Sequence, residues 1–237
     1  MSNHTFEFKQ FSIKQDKCAM KVGTDAVLLG SWVNVENAKS ILDIGTGTGI
    51  IALMLAQKSS ASIDAIDIDK DACIQAQENV DRCKWKERIK IHHLAVQELM
   101  VQSKNKFELI VSNPPYFVDS SKALEEARTT ARHTDLLPYN ELLDSVSELL
   151  APEGKFCVIL PFKEGEIFRD MSQEKHLYLT KLTRIKTRMD KVEKRLLMQF
   201  EFKRNAFSEN SIVIENDERH SYSEEYKELT KDYYLGF

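Results

Sequence analysis

Three observations predict an α/β fold with a mostly parallel sheet and helices on both faces. From Lys39 onward, short apolar runs alternate with helical stretches, and βαβα alternation builds parallel sheets. One run leads into Gly45-Thr46-Gly47-Thr48-Gly49 and then a helix. Another, Phe107 to Val111, leads into Asn113-Pro114-Pro115-Tyr116. Two successive prolines carry no backbone donors, so a strand must stop there. Both turns lie at the carboxyl ends of predicted strands, where open α/β sheets place their ligands.

In chain order, Phe6, Phe8, Phe11 and Ile13 fall near alternate positions among polar residues, which predicts a small N-terminal hairpin. Thr24 or Asp25 is positioned to cap the next helix, with Leu28, Leu29 and Trp32 on its buried side. Lys39 to Ile44 is the first strand of the main sheet, and Ile50 to Ala56 the helix after the glycine turn. Ser62 to Asp67 is the second strand, Lys70 to about Arg82 a helix capped by Asp69, Arg88 to His93 the third strand and Phe107 to Ser112 the fourth. Phe117 to Leu137 is long for a connection and carries Lys122, Arg128, Arg132 and His133. With Ala123 to Ala131 as a helical body, it reads as a solvated helix or, directly after the proline turn, as a substrate-facing lid. Pro138 opens a helix through Leu150, Gly154 turns the chain, and Lys155 to Leu160 is the fifth strand.

Lys181 to Arg195 is the strongly basic stretch, with Lys181, Arg184, Lys186, Arg188, Lys191, Lys194 and Arg195 against Asp190 and Glu193. It reads as two strands joined by a loop, with Leu196, Met198, Phe200 and Phe202 alternating into the core. Such a run either solubilises an edge hairpin or contacts phosphate. The acidic tail from Phe207 ends in Tyr233-Tyr234-Leu235-Gly236-Phe237, and those apolar residues with Ile212-Val213-Ile214 predict docking on the body.

The glycine turn admits two ligands. A Walker phosphate loop is excluded, because no Gly-Lys-Ser/Thr follows. A dinucleotide fits in part, with Gly47, Gly49 and Ala52 matching G-x-G-x-x-G/A. S-adenosylmethionine fits as well, and Asp43 favours it: a carboxylate there suits an ammonium group and would repel a pyrophosphate. Asp67, roughly 20 residues past the glycine loop, has the offset of a ribose-hydroxyl acceptor and serves either ligand. At the other turn, the Asn113 oxygen and the Pro114 carbonyl can accept both protons of an amino group while Tyr116 stacks on its ring. A flat, NH2-bearing substrate is therefore expected; the alternative is a plain Pro-Pro turn.

Composition sets further bounds. The 237 residues suffice for one large domain or a domain with additions. The net charge of −4 advertises no global field for nucleic acid, although a local basic patch is compatible with it. Cys18, Cys73, Cys83 and Cys157 are far apart and without metal-ligand spacing, as expected of reduced thiols in a cytosolic protein. His92 and His93 are adjacent on a predicted strand and so face opposite sides, a poor metal site. No apolar stretch approaches a membrane span, the start is polar where a signal peptide would be apolar, and no internal repeat is visible.

Asp43-Ile44-Gly45-Thr46-Gly47-Thr48-Gly49, Asp67 and Asn113-Pro114-Pro115-Tyr116 together resemble the amino-methylating class I S-adenosylmethionine-dependent methyltransferases, over roughly residues 20–160. A narrower likeness lies in Phe8-Lys9-Gln10-Phe11, Cys18-Ala19-Met20-Lys21-Val22-Gly23-Thr24-Asp25, Asn113-Pro114-Pro115-Tyr116-Phe117 and Ala131-Arg132-His133-Thr134. These segments look like the bacterial tRNA(Val) adenine-37 N6-methyltransferases over most of the chain.

The resemblance implies a Rossmann-like, seven-stranded sheet whose last strand is antiparallel. It implies a methyltransferase domain over 1–237: an N-terminal hairpin and helix to 37, a core over 38–204 and a docked extension from 205. Cofactor contacts would come from Lys21, Thr24, Asp25, Asp43, Gly45, Thr46, Gly47, Gly49, Asp67, Ile68, Gln97 and Asn113, with Thr24 and Asp25 near its methionine end. Catalysis would rest on Asn113, Pro114, Pro115 and Tyr116. Substrate contacts would come from Tyr116, Phe117, Arg132, His133, Arg184, Lys186 and Arg188. The implied partner is tRNA, with no metal and no membrane, acting as a cytoplasmic monomer. Related enzymes often carry an acidic residue after the third strand; here Leu94-Ala95-Val96-Gln97 departs from that, so Gln97 or a backbone group takes its place. Protein-glutamine methylation is the runner-up, followed by other nucleic-acid amino-methylation such as DNA adenine or rRNA guanine.

Overall fold

Residues 5–18, 20–115, 137–218 and 220–237 are described by the computed structural model. Tyr116, Phe117, Arg132, His133 and the expected lid helix lie outside the described residues.

Strands β1 (Thr5–Glu7) and β2 (Ser12–Lys14) pair antiparallel as the N-terminal hairpin. Helix α1 (Thr24–Trp32) leads to β3 (Ser40–Ile44), α2 (Ile50–Lys58), β4 (Ser62–Asp67), α3 (Lys70–Asp81), β5 (Ile89–His93), α4 (Val96–Gln102) and β6 (Phe107–Ser112). After α5 (Tyr139–Leu149) come β7 (Leu150–Pro161), α6 (Phe162–Glu174), β8 (Tyr178–Lys186), β9 (Glu193–Glu201), β10 (Ser208–Val213) and α7 (Glu224–Thr230).

The main sheet has the order β10-β8-β9-β7-β6-β3-β4-β5. β9 runs antiparallel to β7 and β8, and the other pairings are parallel. The order reverses at β3, so the crevice over the carboxyl ends of β3, β4 and β6 is a switch point of the kind that binds ligands.

The expected seven strands become eight. The tail supplies β10, paired parallel to β8 from Ser208↔Lys181 to Val213↔Lys186, which gives that sheet edge its backbone partners. The basic segment is accordingly no edge hairpin. Leu196, Met198 and Phe200 alternate into one buried cluster with Phe202 packed against it, as expected, and Leu197 is buried on the opposite face as well. β9 is interior and covered on both faces, α6 packing on one and α1 behind the other, where Trp32 Nε1 donates to Thr183 Oγ1 at 2.8 Å. The fifth strand begins at Leu150 rather than Lys155, and its register against β6 jumps from Phe107↔Leu150 to Leu109↔Lys155.

The tail docks through its aromatic residues. Tyr233 is buried and its hydroxyl donates to Met54 O at 2.9 Å, while Lys9 N donates to Tyr233 O at 2.8 Å. Tyr234 stacks on Phe8, and Phe237 meets Tyr222 edge-on.

Candidate active site

The glycine turn is an arc of backbone. Gly45, Gly47 and Gly49 have φ of +74°, +55° and +81°, which side-chain-bearing residues rarely adopt. A Cβ at Gly45 or Gly47 would meet nothing within 4 Å, so that side of the arc is open to a ligand. At Gly49 a Cβ would lie 3.3 Å from the Ala76 Cβ, so the arc also packs closely on α3.

Two carboxylates brace the arc. Asp67 ends β4; its Oδ2 accepts from Gly47 N at 2.8 Å and its Oδ1 from Asp69 N at 2.9 Å. Asp43 is wholly buried beneath it, with Oδ2 accepting from Thr46 Oγ1 at 2.7 Å. Burial pushes the Asp43 carboxyl up to about 7, against the pull of the Thr46 hydroxyl and the Ala52 amide, and the Asp67 charge adds to the rise. Among the described residues, Asp43 Oδ1 is buried without a hydrogen-bond partner. An orphaned carboxylate oxygen under an open glycine arc fits the ammonium end of S-adenosylmethionine, and half-exposed Ile68 offers an apolar platform beside Asp67. These residues therefore fit the cofactor.

The corner stands next to the arc. Ile44 and Ser112 are register partners on β3 and β6, and Ser112 Oγ donates to Ile44 O at 2.9 Å. The following residues, Gly45 and Asn113, thus leave neighbouring strands about 4.8 Å apart. Pro114 is buried, Pro115 exposed and Asn113 half-buried. Among the described residues, the Asn113 carboxamide has no hydrogen-bond partner. The structure thus brings the two motifs together across 68 residues of sequence.

The remaining candidates fall into place unevenly. Thr24 and Asp25 do not cap α1: the N-cap is Gly23, without a side-chain cap bond. Asp25 is drawn instead to Arg195, whose Nε donates to Oδ2 at 2.7 Å. This pair fastens the start of α1 to the start of β9, beside the carboxyl end of β7. Lys21 and Thr24 are exposed. Gln97 sits at the start of α4 and donates through Nε2 to Glu141 Oε2 at 2.6 Å.

The basic stretch is paired internally. Arg184 meets Glu209 at 2.5 Å, Lys186 meets Glu193 at 3.6 Å and Arg188 meets Glu215 at 3.7 Å. Lys181 lies over the Trp32 ring at 4.3 Å, and burial lowers its ammonium pKa. No group of His, Cys, Asp or Glu side chains that could hold a metal ion occurs among the described residues. No helix there is long and apolar enough to cross a membrane.

Sequence reasoning missed three side-chain amides. Asn79 and Gln75 of α3 and Gln15 after β2 are all buried. They bind the backbone of the segment that carries Lys21 and Thr24. For Gln75 and Asn79 the sequence signal was polar residues recurring on one helix face, which also describes a solvated face.

A parallel sheet with a glycine arc and a proline corner side by side at its switch point defines a methyltransferase of the Rossmann-like class. The family model described as the methyltransferase small domain matches residues 18–163. Solved structures agree on the fold. A predicted O-methyltransferase from Agrobacterium tumefaciens superposes with a TM-score of 0.69 at 16% identity, covering 88% of this chain and 96% of its own. A 16S rRNA N2 methyltransferase from T. thermophilus, in complex with AdoMet and guanosine, superposes with a TM-score of 0.56 at 17% identity, covering 84% of this chain and 50% of its own.

Curated relatives are far more similar. The tRNA1(Val) (adenine(37)-N6)-methyltransferase of Bacteroides thetaiotaomicron is 48% identical over 99% of both chains. That of Parabacteroides distasonis is 47% identical over 99% of both. The one from Trichodesmium erythraeum is 43% identical over the full length of each. The chain belongs to the tRNA1(Val) (adenine(37)-N6)-methyltransferase family.

Proposed function

We propose that this protein transfers a methyl group from S-adenosylmethionine to N6 of adenine 37 in the anticodon loop of tRNA1(Val). Its relatives' shared name supports the substrate. The observation that carries the chemistry is the Asn113 corner one strand away from the glycine arc, with the Asn113 carboxamide unengaged by the described residues.

Asp43, Gly45, Thr46, Gly47, Gly49, Asp67 and Ile68 would hold the cofactor, with Lys21, Thr24, Asp25 and Gln97 as further contacts. When bound, S-adenosylmethionine supplies a methyl group already activated by a sulfonium.

Adenine's exocyclic nitrogen is a weak nucleophile, because its lone pair is delocalised into the ring. The Asn113 oxygen and the Pro114 carbonyl accept its two N–H bonds and return electron density to nitrogen. Those bonds strengthen as positive charge develops on nitrogen, so they favour the transition state over the ground state. The fixed spacing between corner and arc supplies orientation. The proton that becomes acidic once nitrogen is alkylated leaves to water, and no strong base is required at that centre. Tyr116 stacks on the base, and Phe117, Arg132 and His133 meet the surrounding loop. An anticodon-loop base needs little displacement to reach such a corner.

Arg184, Lys186 and Arg188 contact tRNA phosphate by exchanging their glutamate partners. All three pairs are partly exposed, where such exchange costs little. The protein works as a monomer in the cytoplasm; all four cysteines are free thiols, in keeping with a reducing compartment.

The test supplies methyl-labelled S-adenosylmethionine with unfractionated tRNA, DNA and a glutamine-bearing release-factor protein side by side. Label is expected in tRNA, as N6-methyladenosine at position 37 by mass spectrometry. Label in protein or DNA alone overturns the reading.

A further inference from the structure

The segment from Lys14 to Gly23 links the N-terminal hairpin to α1 and passes along α3, which also backs the glycine arc. Side-chain amides hold it. Asn79 Oδ1 accepts from Lys14 N at 2.8 Å, and Asn79 Nδ2 donates to Lys14 O at 2.9 Å, so one carboxamide pairs with Lys14 as a neighbouring strand would. The same Nδ2 donates to Thr48 O in the glycine arc at 2.9 Å. Gln75 Oε1 accepts from Lys17 N at 2.9 Å, Gln15 Oε1 accepts from Val22 N at 2.8 Å, and Lys17 pairs with Glu78. Asn79 is 1% exposed and Gln75 is fully buried, so the two carboxamides themselves are shielded from water.

Asn79 therefore touches both walls of the cofactor site. Its bond to Thr48 O lies next to Gly47, whose N–H is fixed by Asp67. Its bonds to Lys14 anchor the segment that runs on to Lys21 and Thr24. A carboxamide is the group that can do this, because it accepts once and donates twice from one planar head.

We propose that Asn79 is a positioning residue for the methyl-transfer reaction: it sets the register of the Lys14–Gly23 segment against the glycine arc and so fixes the shape of the cofactor site, with Gln75 bracing the segment alone. This rests on the cofactor reading above. The bonds to Lys14 tie this segment to the arc, and pre-organising a site is what keeps its ligand affinity high.

The experiment titrates the full chain with S-adenosylhomocysteine by calorimetry, for the wild type, Asn79→Ala, Asn79→Asp and Gln75→Ala. Asn79→Asp keeps the acceptor for Lys14 N and loses both donations. Both Asn79 variants are expected to bind roughly tenfold or more weakly, and Gln75→Ala about threefold more weakly. In turnover, KM for S-adenosylmethionine rises by the same factors while kcat at saturating cofactor stays within about twofold, because the Asn113 corner is untouched. Folded Asn79 variants with wild-type affinity, or with lowered kcat and unchanged KM, overturn the proposal. Should both Asn79 variants fail to fold, an unchanged affinity in Gln75→Ala overturns it instead. A wild-type chain that does not bind S-adenosylhomocysteine at all sinks the cofactor reading itself, a result distinct from any of these.

Discussion

The two ends of the sheet treat charge and polarity in opposite ways. Around β3, β4 and β6, polar groups are left incomplete: Asp43 Oδ1 is buried without a partner among the described residues, the Asn113 carboxamide is unengaged by them, and the arc at Gly45 and Gly47 faces open space. Around β8, β9 and β10, where the sequence is most conspicuously charged, Arg184, Lys186, Arg188 and Arg195 each have a carboxylate. Unsatisfied buried groups are costly, and an unsatisfied group beside an open glycine arc is a candidate ligand contact. Exposed ion pairs cost and contribute little, so a run of cations in a sequence says little about free charge in the folded protein. The incomplete polar groups locate the chemistry better than the conspicuous charges.

The sharpest way to break this comparison is at the corner. Asn113→Ala is expected to lower kcat/KM by roughly a hundredfold to a thousandfold, the range for loss of one group aimed at developing charge. S-adenosylhomocysteine affinity, read by calorimetry, stays within about twofold of wild type, because the arc is unchanged. Unchanged turnover would mean that the Asn113 carboxamide is incidental.

Asp43 tests the other incomplete group. Its folded pKa of about 7 lies above the ordinary carboxylate range, so the folded state binds a proton that the unfolded state has already released. The stability this proton linkage contributes is full below the unfolded carboxyl pKa and is lost as pH rises toward and through about 7. Asp43→Asn should therefore unfold at a higher temperature than wild type at pH 8, with the advantage shrinking at pH 5. A cofactor ammonium beside Oδ1 draws the carboxyl pKa down, so wild-type binding near pH 7 releases a proton. Calorimetry in buffers of different ionisation enthalpy detects that release, and Asn at 43 abolishes it while weakening binding about tenfold. Binding without proton release would place the ammonium elsewhere.

The smallest expected effects belong to the paired hairpin. Neutralising Arg184, Lys186 and Arg188 together should weaken tRNA binding only about threefold to tenfold and flatten its salt dependence by about one phosphate contact, because each cation must first leave a glutamate. Glu209→Gln with Glu215→Gln frees two of those cations and should tighten tRNA binding about twofold to threefold. Filter binding across a salt series reads both. An unaltered slope in the triple variant would leave these residues to solubility and packing.

Much of the frame was legible before any coordinates. The strands Ser62 to Asp67 and Phe107 to Ser112 fall at the predicted residues, and Asp69 caps α3 by accepting from Asp71 N. These rest on local rules: a buried parallel strand is a short apolar run, and an Asp before a helix satisfies a free amide. Local rules failed where a distant partner outbid them. Asp25 looked like a cap and became the partner of Arg195, 170 residues away. β9 read as alternating into one core and proved buried on its other face as well, because Leu197 meets the apolar cluster formed with α1.

By itself, then, the sequence determined which segments form the parallel sheet and which two turns end its strands, because glycine and proline restrict the backbone whatever surrounds them. Tertiary structure alone decided that those turns stand on adjacent strands, that Asp43 keeps an oxygen unpartnered by the described residues, that the tail supplies carboxylates to Arg184 and Arg188, and that Asn79 joins two distant loops. Each of these depends on pairing and burial between residues far apart in the chain. Such contacts are set by how the whole sheet assembles, and no local pattern encodes them.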